Sequence, residues 1–566
     1  MGVTKTTREC LEGQLTGLQA DREPFEGDWE EVARLSYPNR LDIVKSSTSS
    51  NGRQKRASNT GLHDTGGLIA GRTLTNGIAQ GMSSSASPWF KLAPPDREMM
   101  EYGPVKEWLA AVEQVLYAFF AQTNYYDASK MQYRDLGHMG VGVNLCLEHE
   151  QYLGVWHALP VGSYWLQQDD GLRASSLWRR SMPTVKELVE QVRDWNKLTP
   201  AVKRLYDKSE YSVRIPIMHV IEPNEDAYGK PLSPKVRKPW RSVKWEVGQN
   251  DKNILVAEKG FDSQPFSAPR WEVYGDSAYS DSAPGFQALA DLRELQLAAK
   301  RGARAMDGIV KPPMGMPANL ARTGVNLDPG TVTYLEHMAA ESRPAPLYTV
   351  PYQSLEYITN KQDWLSQRID RLFFADLFMA ITQMEGVQPR NEQELFFRKE
   401  EQLTQLGPVV DRVNIEKLEY DIDRAYTICK NLGFIPPAPP EMENSGLTVD
   451  FISVLARAQK AADNTAIERA ARFVGFLAGL FPDAAIKFDA EEAIDQYTIN
   501  SGTNPKIIRT DQIVAEIRAK QQAELQKQQM MAAAPAMKDA AGAAELLSRT
   551  QVTPDGETAL QRMMGQ

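Results

Sequence analysis

A chain of 566 residues with 42% apolar content can bury several cores, so two to four domains are expected; its net charge of −9 excludes nucleic-acid binding driven by a basic surface as a whole. Its three cysteines, Cys10, Cys146 and Cys429, match no metal-ligand spacing and no disulfide framework, which points to folding in a reducing cytosol. No window approaches the ~18 apolar residues of a membrane span and no apolar signal core is present, so neither a membrane partner nor standard secretion is expected.

Residues 1–45 read as helical with mixed charge, and 46–60, SSTSSNGRQKRASNT, as a polar basic loop. Between 61 and 82 glycines are frequent, yet Leu68, Ile69, Leu74, Ile78 and Met82 keep near-helical spacing. Ser83–Pro95 is a break that holds Trp89-Phe90-Lys91-Leu92. Residues 104–122 form an amphipathic helix with Val105, Trp108, Leu109, Val112, Val115, Leu116 and Phe119. From about 138 to 275 the texture is β-like, as in Val141–Leu147, Ser212–Ile217 and Trp271–Tyr274, with one helix predicted over 184–195.

Residues 284–430 carry the strongest periodicity. Phe286, Leu289, Leu292, Leu295, Ala299, Ala303 and Met306 recur at three- and four-residue steps, predicting a helix roughly 37 Å long that cannot run past Pro312-Pro313. Leu355, Ile358, Leu365, Ile369, Leu372 and Phe373 predict a second helix, capped at Ser354 or Pro351. Between them, Pro312, Pro313, Pro317, Pro329, Pro344 and Pro346 and the β-like run Thr331–Leu335 predict a small mixed head. Gly386 and Pro389 make 379–391 a flexible loop. A third helix carries Leu403, Leu406, Val410 and Val413 on one stripe, with a kink expected at Gly407-Pro408. Across 392–424, nine acidic residues face five basic ones, which reads as a largely exposed acidic surface. After 450 the chain is helical and Ala-rich, and 520–566 is a low-complexity tail.

Gly66-Gly67-Leu68-Ile69-Ala70-Gly71-Arg72-Thr73 matches a phosphate-binding P-loop except that Arg72 stands where the lysine belongs. Lysine is a compact point charge on the terminal phosphates, and arginine is not its equivalent. A P-loop also follows a buried strand, whereas Ser58-Asn59-Thr60-Gly61 is polar, so a small-residue helix packed closely against a neighbour is the favoured reading. His63, His138, His149, His157, His219 and His337 include no zinc-protease pair, and His149 and His157 read as ordinary structural residues. A turn before Gly171 explains Asp169-Asp170 better than a divalent-ion site. No catalytic residue, metal or cofactor is expected. Lys235, Arg237, Lys238, Arg241 and Lys244 are interleaved with Trp240 and Trp245. That pattern suits a nucleic-acid backbone or an acidic partner, against the commoner reading of a solvated hairpin edge protected by charge.

The order of these features is specific. Ser87-Pro88-Trp89-Phe90-Lys91-Leu92 follows a small-residue helix, and a β-rich middle leads to Tyr274-Gly275 and Gly285-Phe286-Gln287-Ala288-Leu289-Ala290-Asp291. The hairpin with its Pro-rich head comes next, then Arg390, Glu394, Arg398-Lys399-Glu400-Glu401, Leu406-Gly407-Pro408-Val409 and Arg412. Over roughly residues 10–530 this resembles the head-to-tail connector, or portal, proteins of short-tailed bacteriophages (podoviruses).

The resemblance implies a mainly helical α+β portal fold with a wing, a stem helix hairpin, a small α/β clip, a tunnel loop and a C-terminal helical crown. Residues 1–275 would supply the N-terminal part of the wing, 284–310 and 352–377 the stem helices, 311–350 the clip and 379–391 the tunnel loop. Residues 392–449 would form a kinked wing helix and its return, 450–530 the crown and 531–566 a flexible tail. It further implies a homododecameric ring at one capsid vertex of the virion, assembled in the host cytoplasm. Such a ring passes double-stranded DNA non-specifically during packaging and ejection, and initiates head assembly. Implied partners are other copies of the chain, the major capsid and scaffolding proteins, the terminase large subunit, a tail adaptor and internal core or ejection proteins. Gln383, Met384, Glu385, Gln388, Arg390, Arg398 and Lys399 would face DNA around the tunnel loop. Lys311, Arg322, Asp328, Glu336 and Arg343 would dock partners on the clip. The competing readings are a nucleotide-driven packaging enzyme built on Gly66–Thr73 and a scaffolding protein without a channel.

Overall fold

Helix α1 (Thr7–Ser36) buries Trp29, Val32, Ala33 and Leu35, one helical face, in the main core. The computed structural model describes residues 7–38, 61–96, 99, 102–225, 231–233, 236–248, 256–273, 275, 277–315, 345–382, 406–442, 446–452, 467–479 and 481, and further on 487–490, 493, 494, 497, 514, 517–524 and 545. The chain divides into two compact units, Met1–Pro482 and Asp483–Gln566. In the second, residues 517–524 are helical. Among the described residues, no helix is long and apolar enough to cross a membrane.

In the first unit α1 is followed by α2 (Gly66–Met82), β1 (Phe90–Ala93), α3 (Gly103–Gln122) and α4 (Tyr125–Met139). Helix α4 is not singled out by pattern, because Gln132 and Asp135 break its apolar stripe and are buried all the same. It ends at Gly140, whose φ of 76° is the left-handed backbone that glycine adopts freely.

The middle of the chain is antiparallel β-structure. Strand β2 (Val143–His149) pairs with β3 (Leu153–Leu159). Strands β4 (Tyr164–Gln168) and β5 (Ala174–Ser181) begin a five-stranded sheet. Two helices, α5 (Val185–Val192) and α6 (Pro200–Asp207), come before β6 (Ile217–Pro223), where a single helix over 184–195 is predicted. Thr184 and Glu187 form a capping box on α5, and Thr199 caps α6. Strands β7 (Trp240–Glu246) and β8 (Ala257–Phe261) complete the sheet in the order β4-β5-β6-β7-β8, and β9 (Phe266–Ser267) adds to β2. Trp178, Val220 and Val243 stand in one cross-strand row and pack, with Trp165, Met218 and Trp245, against Leu11 of α1. Alternation puts the next row, Arg179, His219 and Lys244, on the opposite face.

Two predicted strands differ. Over Ser212–Ile217, Pro216 lacks the N–H a ladder needs, so β6 begins only at Ile217 and Arg214 makes an isolated bridge to Thr184. Trp271 and Val273 form no strand either. The Trp271 N–H donates to Gly140 O at 2.9 Å, and the pairing with β2 comes instead from Phe266 and Ser267.

After a single turn at Pro284–Gln287 and a break at Ala288, α7 (Leu289–Val310) begins. Strands β10 (Met314–Gly315) and β11 (Ala345–Pro346) pair at the base of the predicted head. Helix α8 (Tyr352–Leu372) packs on α7, and α9 (Ala375–Thr382) follows. The second helix therefore stops at Leu372 rather than continuing to 377. Phe374 takes a left-handed φ of 52°, its ring against Trp271, while Phe373 packs against His138. The predicted loop over 379–391 starts later, because residues 379–382 are the end of α9.

Residues 406–413 are helical, Asn414–Leu418 form a π turn and α10 (Glu419–Asn431) continues from it. Leu406, Val410 and Val413 are buried, whereas Leu403 and the residues leading into Gly407-Pro408 lie outside the described residues. Strand β12 (Thr448–Phe451) returns to pair with β1.

Candidate functional site

The stretch read against a P-loop is helix from Gly66 onward, and its glycines are its packing face. A Cβ at Gly67 would lie 2.3 Å from Leu292 Cδ2, one at Gly71 2.3 Å from His138 Nε2, and one at Gly77 2.2 Å from Phe378 Cδ1. The small residues therefore let α2 lie directly against the hairpin base, α4 and α9. The hydroxyl of Thr73, which in a P-loop would serve a metal, donates to Ile69 O at 3.1 Å. The nucleotide-driven alternative has no phosphate loop here.

Helices α7 and α8 run antiparallel. Asp291 pairs with Arg368 at 3.2 Å and Glu294 pairs with Lys361, while further out Gly302 faces Ile358 and Gly308 faces Val350. The hairpin has two distinct halves. Near its base Leu292, Leu295, Leu365 and Ile369 are fully buried in the main core. Toward the head, Val310 is 71% exposed, Tyr352 79% and Tyr357 71%, with Met306 half-exposed. Among the described residues, these apolar side chains have no cover.

Of the acidic surface expected over 392–424, Asp411, Glu419 and Asp423 are exposed, but four charged side chains of its C-terminal part are buried. Glu416, Lys417, Asp421 and Arg424 are each 5% exposed or less. Lys417 Nζ meets Asp421 Oδ2 at 2.6 Å and donates to Ser129 Oγ at 3.1 Å, between the Tyr125 and Tyr133 rings. Burial pulls the Lys417 ammonium down and the Asp421 carboxylate opposes that shift. Arg424 reaches Glu148 at 2.9 Å. The sequence carries a local signal for this network in the i,i+4 pairs Arg412–Glu416 and Lys417–Asp421, but nothing local shows that they are buried.

The Ser87–Leu92 motif is held by a residue that pattern reading passes over. Tyr117 OH accepts the N–H groups of Trp89 and Phe90 at 3.0 and 2.9 Å and donates to Phe90 O at 2.7 Å. Burial raises its phenol well above the ordinary range.

The basic stretch does not form one surface. Arg237 and Lys238 are exposed, and Lys238 pairs with Asp262 at 2.8 Å. Arg241 is buried against Glu222 at 2.6 Å. Lys244 stands on the opposite face from Trp245, and β7 is an interior strand, so neither a basic–aromatic platform nor a charged sheet edge results. Lys235 lies outside the described residues, as do Gln383, Met384, Glu385, Gln388, Arg390, Arg398 and Lys399 and, on the head, Arg322, Asp328, Glu336 and Arg343. Lys311 is exposed and ends α7 by donating its N–H to Asp307 O at 2.7 Å. Asp169 accepts the Arg173 N–H at 2.8 Å in a turn, and His149 Nδ1 accepts N–H groups of the turn after β2. Among the described residues, no group of three or more His, Cys, Asp or Glu could hold a metal ion.

The comparisons with known proteins cover nearly the whole chain. A family model described as bacteriophage head to tail connecting protein matches residues 8–508. The portal protein of Salmonella phage epsilon15 is 33% identical over 564 residues, covering 100% of this chain and 99% of that protein. The probable portal protein of Bordetella phage BPP-1 is 30% identical over 530 residues, covering 94% of this chain and 93% of that protein. Among solved structures, the neck of an empty GTA particle aligns with a TM-score of 0.36 at 10% identity, over 78% of this chain and 91% of that one. With a family match spanning the fold and two portal proteins related over almost their full lengths, the chain belongs to the bacteriophage head-to-tail connecting, or portal, protein family.

Proposed function

We propose that twelve copies of this chain close into a ring at one capsid vertex, and that double-stranded DNA passes through the ring's axial channel during packaging and ejection. In this reading α7 and α8 are the stem and residues 311–350 are the clip that docks the terminase large subunit and later a tail adaptor. The α9 end and the residues after it, to 391, form the tunnel loop. Residues 1–275 and 392–449 build the wing, and 450–530 the crown that meets internal core or ejection proteins.

The observation that carries the reading is the apolar surface on the outer half of the hairpin. Met306, Val310, Tyr352 and Tyr357 are large apolar side chains there that stay exposed in one chain. A head-to-tail ring covers such a face with the next copy. The charge agrees: twelve copies of a chain with net charge −9 disfavour broad adhesion to DNA, as sliding requires.

Native mass spectrometry and negative-stain imaging of the purified full-length chain test this. The expected species is a ring with a central hole and a mass about twelve times the chain's 63.4 kDa, or thirteen copies as an overexpression variant. A monomer or an open filament would sink the reading.

A further inference from the structure

The five-stranded sheet holds a feature that a connector role leaves unused. A cavity of about 750 Å³ lies between its polar face, the β2–β3 hairpin, α5 and the end of α10. Arg179, Lys244, Lys259 and His157 line it, with His219 and Ser242 between them. Strand register sets the arrangement: Arg179 is opposite His219, His219 opposite Lys244, and Ser242 opposite Lys259.

The central histidine is fixed as a neutral acceptor. Arg179 Nε donates to His219 Nδ1 at 2.9 Å, so that nitrogen carries no proton, and Nε2–H then donates to Ser242 Oγ at 2.8 Å. This holds the guanidinium by one edge only. Among the described residues, no hydrogen bond or ion pair engages its two Nη groups, or the ammonium groups of Lys244 and Lys259.

The acids on the wall are already committed. Glu148 takes Arg424 at 2.9 Å, Glu150 takes Arg193 at 3.1 Å, and Glu187 accepts the Thr184 N–H at 2.9 Å as part of its helix cap. Among the described residues, the cations are left without an anion. Burial pushes Arg179 down to about 10 and Lys244 down to about 8, with Arg179 and Lys259 adding to the second shift, and no carboxylate opposes either. Arg179 and Lys244 are half-buried and Lys259 is exposed, and clustered cations repel one another unless something compensates them.

We propose that this cavity binds a small phosphate-class oxyanion between the Arg179 guanidinium and the Lys244 and Lys259 ammonium groups. The free Nη pair offers two parallel donors to two oxygens, and the lysines supply compact charge on the other side. The volume suits a small ligand and is far too narrow for a DNA duplex, so the occupant is free phosphate or a small phosphomonoester.

Isothermal titration of the full-length protein with inorganic phosphate, and separately with glycerol phosphate, at matched ionic strength in chloride, tests the site. The expected result is saturable uptake of one anion per chain, weakened at least tenfold by Arg179→Met and by Lys244→Met and unchanged by Lys238→Gln. Tighter binding of one probe tells free phosphate from ester. If Arg179→Met does not fold, Lys244→Met and Lys259→Gln carry the test. Phosphate heats no larger than those of chloride, or folded variants that bind as the parent does, would overturn the proposal. So would binding seen only in unassembled chains, which would assign the cations to a carboxylate of a neighbouring copy.

Discussion

The Arg270 guanidinium and the Glu416 carboxylate meet at 2.6 Å, with side-chain exposures of 0% and 6%. Glu416 also accepts the backbone N–H of Arg270 at 3.0 Å and Arg412 Nη1 at 2.9 Å, while Arg270 Nη1 donates to Gln168 at 2.6 Å. One carboxylate thus fastens the end of the β-rich middle to the π turn of the third helix. Glu416 and Lys417, consecutive in that widened turn, are both buried.

Glu416→Gln should therefore cost about 3–5 kcal/mol, because it leaves the Arg270 charge buried without its partner. The urea midpoint of the variant reads this directly. Replacing both residues with methionine should recover much of the loss. A single variant within about 1 kcal/mol of the parent would mean that the pair does not fasten the two segments.

Part of this fold is legible locally and part is not. Leu292, Leu295, Leu365 and Ile369 announce the hairpin because three- and four-residue spacing is information within one element. The break at Phe374 is not announced, since what holds its left-handed backbone is contact with Trp271, about a hundred residues earlier. Composition reads 392–424 as exposed, whereas three of its charges are buried against partners 146 residues away for Glu416, 288 for Lys417 and 276 for Arg424. The stretch 235–245 reads as a charged hairpin edge or, less commonly, a basic–aromatic surface until pairing puts β7 inside the sheet and strand alternation separates Trp245 from Lys244. The connector family is legible in the order of motifs along the chain. The Arg179–His219–Lys244 row is not, because only sheet register brings those residues together.

The glycines give a test with opposite signs in two helices. Gly77→Ala places a methyl 2.2 Å from the Phe378 ring, inside the core, and should cost about 1–3 kcal/mol. Gly17→Ala, exposed in α1 with nothing within 4 Å, should instead gain about 0.5–1 kcal/mol from helix propensity. Thermal melts of the two variants under one buffer decide it. Equal shifts would show that α2 is not packed through its small residues.

The outer hairpin separates folding from assembly. Tyr357 is 71% exposed and Val310 71%, so Tyr357→Lys and Val310→Asp should change single-chain stability by no more than about 0.5 kcal/mol. Each would place an unpaired charge in the proposed contact between copies, so rings should fail to form while far-ultraviolet circular dichroism stays that of the parent. Normal rings from both variants would remove this face from the interface.

Lys244 makes the oxyanion cavity sensitive to pH. Its folded value of about 8 lies below the ordinary 10.5, so above pH 8 the folded chain has released a proton that the unfolded chain still holds. The unfolded state then binds more protons, and stability rises with pH between about 8 and 10.5 from this group. The groups facing it do not reverse the trend. His219 and His157 are neutral throughout that window, Lys259 is a second cation, and Arg179 begins to lose its proton only near 10. Lys244 is half-buried, so solvent screening holds its contribution to no more than about 2 kcal/mol. Lys244→Met should stabilise the chain at pH 7 and flatten the rise from pH 8 to 9.5, as read from urea midpoints at each pH. Inorganic phosphate at pH 7 should narrow the gap by stabilising the parent alone. Parallel profiles for parent and variant, with and without phosphate, would show that Lys244 does not feel the cavity's uncompensated charge.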